Sequence, residues 1–263
     1  MTAPFSYVAF LSAFVALPAA ALAIAVGRRT ARPRRVAAGI ATLVCIAVAY
    51  TAPWDSYLIG REVWWYGAGV VAAEYVRIPL GEWLFFALQT ILTGLWYHAL
   101  GPRIAPTLPD SESARRRGAA VWTVVALLGT VLAVANASTY YLGMILAWAA
   151  PVAAFLWAVG GPVIWRSRRL VAAAVAVPTL YLWLVDGLAI GLGLWTIAPA
   201  YTTGFTLLGL PVEEAVFFLL TNVLVVQGLL LFDWVVARAD DRGPTYAFEG
   251  LVPAANRVSR PWR

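Results

Sequence analysis

Pro211-Val212-Glu213-Glu214-Ala215-Val216-Phe217-Phe218 opens a long apolar run, and it echoes Pro79-Leu80-Gly81-Glu82-Trp83-Leu84-Phe85-Phe86, which opens another. The two blocks lie 132 residues apart. Asp55 with Trp64 recurs as Asp186 with Trp195, at a spacing of 131. One shift therefore lays the first part of the chain on the last. An apolar run of about 20 residues can span a bilayer as a helix, and seven such runs are read at 5–26, 36–53, 79–100, 119–135, 140–165, 170–190 and 211–236. The shift places the first run on the fifth, the second on the sixth and the third on the seventh, and it leaves the fourth without a counterpart. Three spans reverse the chain and a fourth restores it, so the two triplets run parallel, with a central site expected between them. The fold class expected is an all-α membrane protein of seven transmembrane helices, two parallel three-helix repeats joined by a linker helix (3+1+3). The divisions are 1–100 for the first repeat, 101–137 for a basic loop and the linker helix, 138–237 for the second repeat, and 238–263 for a solvated, poorly ordered cytoplasmic tail.

Composition supports a chain that lives in the cell membrane. Of 263 residues, 62% are hydrophobic and 12% charged, against about 25% charged in a soluble domain; the mean hydropathy is +0.78. The 19 basic residues are all arginine. The absence of lysine excludes a Schiff base to retinal or pyridoxal phosphate, and a P-loop. One cysteine and one histidine exclude a disulfide framework, an iron–sulfur cluster and a His-rich metal centre. Cys45 reads as a small apolar filler in the second span and His98 as a bystander near the inner end of the third. No dinucleotide-binding motif is present, and no tightly bound cofactor is expected.

A net charge of +6 would suit nucleic acid if the arginines formed a patch, but they sort by loop. Arg28, Arg29, Arg32, Arg34 and Arg35 follow the first span. Arg103, Arg115, Arg116 and Arg117 precede the fourth; Arg166, Arg168 and Arg169 lie between the fifth and sixth; Arg238, Arg242, Arg257, Arg260 and Arg263 are in the tail. The other loops hold only Arg61 and Arg77. The positive-inside rule then gives the N-terminus out and the C-terminus in, and no nucleic acid partner. The first span is not read as a signal peptide, because its arginines follow the apolar run rather than precede it.

Most acidic residues fall in loops or the tail, and Asp233 reads as solvated near the tail. Glu82, Glu213 and Glu214 are different. Each lies within about one turn of the outer end of the third or seventh span, and Asp55 and Asp186 end the second and sixth spans on the same side. An ionisable residue at membrane depth is costly and is a functional candidate by default. Apolar surroundings and a carboxylate neighbour favour the protonated form, whereas the dipole of a helix start favours the anion. The bland alternative is that the acids only support helix starts, after prolines suited to the first helical position. Repetition of Pro-x-x-Glu-x-x-Phe-Phe weighs against it. Glu82 with Phe86, Glu213 with Phe217 and Glu214 with Phe218 are each four apart, on one helical face. Trp54, Trp64, Trp65 and Trp195 lie at the same outer end, and Phe85 and Phe217 are read equally as lipid-facing or core. Aromatic faces attract cations, so a protonatable carboxyl among them suits acid-initiated carbocation chemistry; the competing reading is an interfacial aromatic belt. Deeper polar residues, Gln89, Thr90, Thr221, Asn222 and Gln227, are read as interhelical hydrogen bonds or pocket lining, with Asn222 carried as a substrate-binding candidate.

At these motifs the sequence resembles the integral-membrane lycopene cyclases of the heterodimeric type. The resemblance rests on Pro53-Trp54-Asp55 through Trp64-Trp65-Tyr66, Ile78-Pro79 through Gln89-Thr90, Pro178 through Asp186 and Trp195, and Leu210-Pro211 through Thr221-Asn222. It covers most of 1–237. It implies closure of the linear ends of a carotenoid by a protonated glutamate, followed by proton loss to a carboxylate, with no net redox change. It implies Glu213, Glu214, Glu82, Asp186 and Asp55 as catalytic candidates and Trp54, Trp64, Phe85, Phe86, Trp195, Phe217, Phe218 and Asn222 around the substrate. It also implies a lipophilic linear carotenoid entering from the lipid bilayer, with other carotenoid-pathway enzymes or a second copy as further partners. One departure matters: the family commonly has two glutamates in the first block, and here the first is Gly81. Glu213 and Glu214 are therefore placed ahead of Glu82. The competing functions are cyclisation of C50 carotenoids, hydration of an end group, a structural partner chain, and a small 3+1+3 transporter, the last disfavoured by spans poor in polar residues.

Overall fold

The computed structural model describes residues 3–107 and 112–246. Seven long helices carry the chain among these residues: α1 (Tyr7–Arg29), α2 (Pro33–Ile59), α3 (Leu80–Ala99), α4 (Glu112–Ala135), α5 (Tyr140–Arg166), α6 (Arg168–Gly191) and α7 (Val212–Arg242). Six of them are long and apolar enough to cross a membrane; α3 falls outside that group. The physical reason is its content. Glu82, Gln89, Thr90, Thr93 and His98 all lie on α3, and Gln89, Thr90 and Thr93 are buried against other helices.

The packing is organised around α3 and α7, which meet each other. Helices α1 and α2 pack on α3, and α5 and α6 pack on α7. Each third helix also reaches across to the other set, α7 to α2 and α3 to α6. Helix α4 lies along α5. Small residues permit that contact, since a Cβ on Gly129 or Gly143 would run into backbone of the opposite helix, the close approach seen between membrane helices. Most of the remaining surface of α4 is apolar and exposed, including Val121, Val124, Leu127 and Val134.

The arginine-rich segments gather at one end. Arg32 and Arg35 both bond Asp240, at 2.7 and 2.8 Å, and Arg166 donates to the carbonyls of Ala105 and Thr107. At the opposite end, the fold departs from an all-α expectation. Short strands β1 (Trp64–Tyr66), β2 (Glu74–Tyr75), β3 (Ile78–Pro79), β4 (Trp195–Ile197), β5 (Thr206–Leu207) and β6 (Leu210–Pro211) form three two-stranded antiparallel sheets. Hairpins β2–β3 and β5–β6 lead into α3 and α7. Their two-residue turns, Val76-Arg77 and Leu208-Gly209, have positive φ throughout, as tight hairpin turns require. Pro79 and Pro211 close the hairpins and sit one place before the helix, not at its first position. Strand β1 pairs with β4, with Trp64 opposite Ile197 and Tyr66 opposite Trp195.

Three expectations at the edges of the bundle are corrected. Helix α7 continues to Arg242 and ends at Gly243, with φ 93°, so the stretch from 238 begins as helix, and Arg238 is buried over the Trp234 ring; residues 247–263 of the expected tail lie outside the described residues. Asp233 is not solvated: Tyr97 donates to it at 3.2 Å and its side chain is 14% exposed, since α3 packs over it. Cys45 is exposed rather than filling the interior, because it lies on the outward face of α2.

Candidate active site

The first turns of α3 and α7 and the last turns of α2 and α6 converge beneath the β1–β4 ladder. There they enclose a cavity of about 60 Å³. Asp55, Glu82, Asp186 and Glu214 all line it. Trp54, Trp64, Phe85, Phe86, Trp195, Phe217 and Phe218 complete most of the wall, and no basic side chain lines it among the described residues. The aromatic surface is continuous: Trp54 stacks on Phe217 with 6.0 Å between centroids, Phe218 meets Phe85 edge-on at 6.0 Å, and Trp148 stacks on Trp54 at 4.8 Å. Among the described residues no group of His, Cys, Asp and Glu side chains is arranged to hold a metal.

Each carboxyl has its own hydrogen bonding. Tyr66 donates to Glu82 Oε1 at 2.8 Å, and the Trp64 indole donates to the Tyr66 oxygen at 2.8 Å. Tyr7 also interacts with Glu82. On the other side, Tyr141 donates to Glu214 Oε1 at 2.8 Å, and the Trp195 indole donates directly to Asp186 Oδ1 at 3.0 Å. Asp55 Oδ2 and Asp186 Oδ2 are buried without a partner, where a substrate or water would be their only complement. Burial, with the Glu82 and Asp55 carboxyls beside it, pushes the Tyr66 phenol well above its ordinary range, so it remains a donor.

Two expected site residues are not brought to the cavity. Glu213 is fully buried, but it turns to its own loop, where Oε1 accepts from the Thr203 amide at 2.7 Å and the Thr203 hydroxyl at 2.8 Å. The reason is helical geometry: neighbours on a helix lie about 100° apart, so Glu213 and Glu214 cannot face the same space. Asn222 is likewise fully buried away from the cavity. It accepts from Gln89 at 2.7 Å and Thr93 at 2.6 Å and donates to Thr179 at 3.0 Å, which ties α3, α6 and α7 together. Sequence reasoning missed Tyr7, Tyr66 and Tyr141 as site residues. The available signal was the repeat itself, since Tyr7 and Tyr141 both open the first helix of a triplet. Gly81 also finds its explanation here. A Cβ at that position would collide with the Tyr7 ring, so Tyr7 occupies the space that a side chain on residue 81 would need.

The family model for lycopene cyclase matches residues 5–100 and 138–232, the two segments that supply every carboxyl and aromatic wall residue of the cavity. This chain belongs to the lycopene cyclase family. It is 48% identical over 235 residues to the lycopene beta-cyclase of Halobacterium salinarum, covering 89% of this chain and 98% of that one. It is 38% identical over 200 residues to the bifunctional lycopene cyclase/phytoene synthase of Gibberella fujikuroi, covering 73% of this chain and 34% of that protein. The corresponding protein of Neurospora crassa is 37% identical over 238 residues, covering 83% and 38%. No solved structure matches. Family membership makes the chain a carotenoid cyclase, an enzyme of carotenoid biosynthesis.

Proposed function

We propose that this lycopene cyclase closes the linear ends of lycopene into rings by acid–base catalysis at the cavity shared by Asp55, Glu82, Asp186 and Glu214. The observation that carries the reading is the composition of that wall: four carboxyls, no cation, and otherwise aromatic and aliphatic side chains. A carboxylic acid donates a proton to the terminal double bond. The tertiary cation is attacked by the neighbouring alkene, and a carboxylate removes a ring proton to form the ring double bond. The π faces of Trp54, Phe217 and Phe218 stabilise the cation and exclude the water that would trap it. Glu214 and Glu82 are the primary catalytic candidates, with Asp186 and Asp55 beside them; Glu213 and Asn222 hold the scaffold. The chemistry needs no redox cofactor.

The free space is well below the ~300 Å³ at which small-molecule pockets begin, so the lining side chains part as the end group enters from the bilayer. We read the chain as a multi-pass protein of the cell membrane with 3+1+3 topology, N-terminus out and C-terminus in. The β1–β4 pairing, the matched hairpins and the crossed contacts of α3 and α7 support the parallel repeats, and the clustering of arginines at one end supports the orientation.

The test is pigment analysis in cells that accumulate lycopene. The chain is expected to yield monocyclic or bicyclic carotenoids, and Glu214→Gln to abolish them. Unchanged lycopene with the protein present in the membrane would reject this reading.

A further inference from the structure

The cavity is close to symmetric, yet the reaction is not. The proton is delivered to one carbon and removed from another, so an inequality between the repeats would assign the two tasks to different carboxyls. The β1–β4 ladder shows where the inequality lies. The repeat shift of 131 makes Trp64 the counterpart of Trp195 and Tyr66 that of Ile197, and in the ladder Trp64 faces Ile197 while Tyr66 faces Trp195. Both tryptophans and Ile197 line the cavity, and Tyr66 reaches its wall through the bond to Glu82. The one change that matters chemically is a phenol against a hydrocarbon.

The phenol redirects the whole hydrogen-bond set. In the second repeat the Trp195 indole serves Asp186 directly, and Glu214 accepts from Tyr141. In the first repeat the Trp64 indole serves the Tyr66 oxygen instead, which aims the Tyr66 O–H at Glu82. Glu82 thereby gains a donor that Glu214 lacks, while Asp55 loses the indole that its counterpart has. Tyr7 in the first repeat and Tyr141 in the second cancel in this comparison.

Resting on the cyclase reading above, we infer that Tyr66 is a positioning residue that makes Glu82 the proton acceptor, and that Ile197 leaves Asp186 and Glu214 as the proton-delivering pair. A hydrogen bond to the ionised form of a carboxyl favours that form. No cation in the wall competes with this effect. The titratable groups around Glu82 are Tyr66 of β1, which bonds it, and Tyr7 of α1, Asp55 of α2, Tyr141 of α5, Asp186 of α6 and Glu214 of α7, which share its cavity, all phenols or carboxyls. The step balances. The π pair of the terminal alkene takes the proton from the second repeat, the next alkene's pair forms the ring bond, and the ring C–H pair becomes the double bond as Glu82 takes the proton. The proton then returns across the carboxyl cluster, with nothing oxidised or reduced.

The test compares Tyr66→Phe and Tyr141→Phe in the full-length protein, reconstituted with lycopene, with product structures and kcat and KM measured together. Wild-type cyclisation is the control, and its absence would reject the cyclase reading itself. Losing the hydrogen bond that stabilises a carboxylate, Glu82 before proton removal or Glu214 once its proton has left, should lower kcat by roughly ten- to a hundredfold in either variant, with KM little changed. Only Tyr66→Phe should also change the products, toward rings with a displaced double bond or a hydroxyl, because only there is proton removal impaired. A Tyr66→Phe variant that makes the wild-type product pattern at any rate would overturn the inference, as would equal product changes in both variants. A swap, Tyr66→Ile with Ile197→Tyr, should return the wild-type pattern by exchanging the roles of the repeats. A folded swap that keeps the altered pattern would also overturn it.

Discussion

Glu213 and Glu214 are adjacent in sequence and both buried, yet they differ in every other respect. Glu214 lines the cavity and accepts from a phenol of another helix. Glu213 accepts twice from Thr203 and holds the loop that leads into β5. In the first repeat the same two places are Gly81 and Glu82, and there the loop-facing carboxyl has been dispensed with altogether. The difference teaches that adjacent acids on one helix take different surroundings: Glu213 faces the loop and Glu214 the cavity. In the first repeat Tyr7 fills the space beside Gly81, and the cavity still receives one glutamate from each repeat.

The sharpest way to break this comparison is to remove each carboxylate in turn. Glu214→Gln should lower cyclisation by about a thousandfold, within the range for loss of a general acid or base, while the protein still accumulates in the membrane. Measured carotenoid yield per unit of protein checks it; a loss smaller than tenfold would demote Glu214. Next in size, Asn222→Ala strands Gln89, Thr93 and Thr179 in the bundle interior, and should cost about 2–3 kcal/mol as read by thermal unfolding in detergent. Gly81→Ala forces Tyr7 aside and should cost about 1–3 kcal/mol by overpacking, with part of the activity lost because Tyr7 leaves Glu82. The smallest effect belongs to Glu213→Gln. The amide oxygen can still accept from Thr203, so stability should fall by about 1 kcal/mol and cyclisation should stay within about threefold. A collapse of activity in Glu213→Gln, with folding intact, would return that residue to the chemistry.

Much of this was legible in the chain. The repeat blocks located α3 and α7, the arginine runs predicted which loops share an end, and the Pro-x-x-Glu-x-x-Phe-Phe spacing gave four of the ten aromatic wall residues and both cavity glutamates. These features are local, set by helical periodicity or charge. What stayed hidden depends on contacts between distant segments. Asn222 looks like pocket lining until Gln89, Thr93 and Thr179 are seen to satisfy it from two other helices. Tyr66 looks like part of an interfacial aromatic stretch until β1 is paired with β4. The strands themselves were unreadable, because two- and three-residue segments carry no period. Helix α3 illustrates the converse. Its polar residues lower its hydropathy beneath that of its neighbours because they serve interhelical contacts and the cavity.

The β1–β4 ladder also has a mechanical meaning. It is only three residues long on each strand, and it joins the two repeats directly above the cavity carboxyls. It has the form of a clasp: one strand from each repeat contributes to a shared roof of Trp64, Trp195 and Ile197. Hydrogen exchange at these few amides would therefore gauge whether the two halves are engaged, and would do so in a detergent extract with no pigment present.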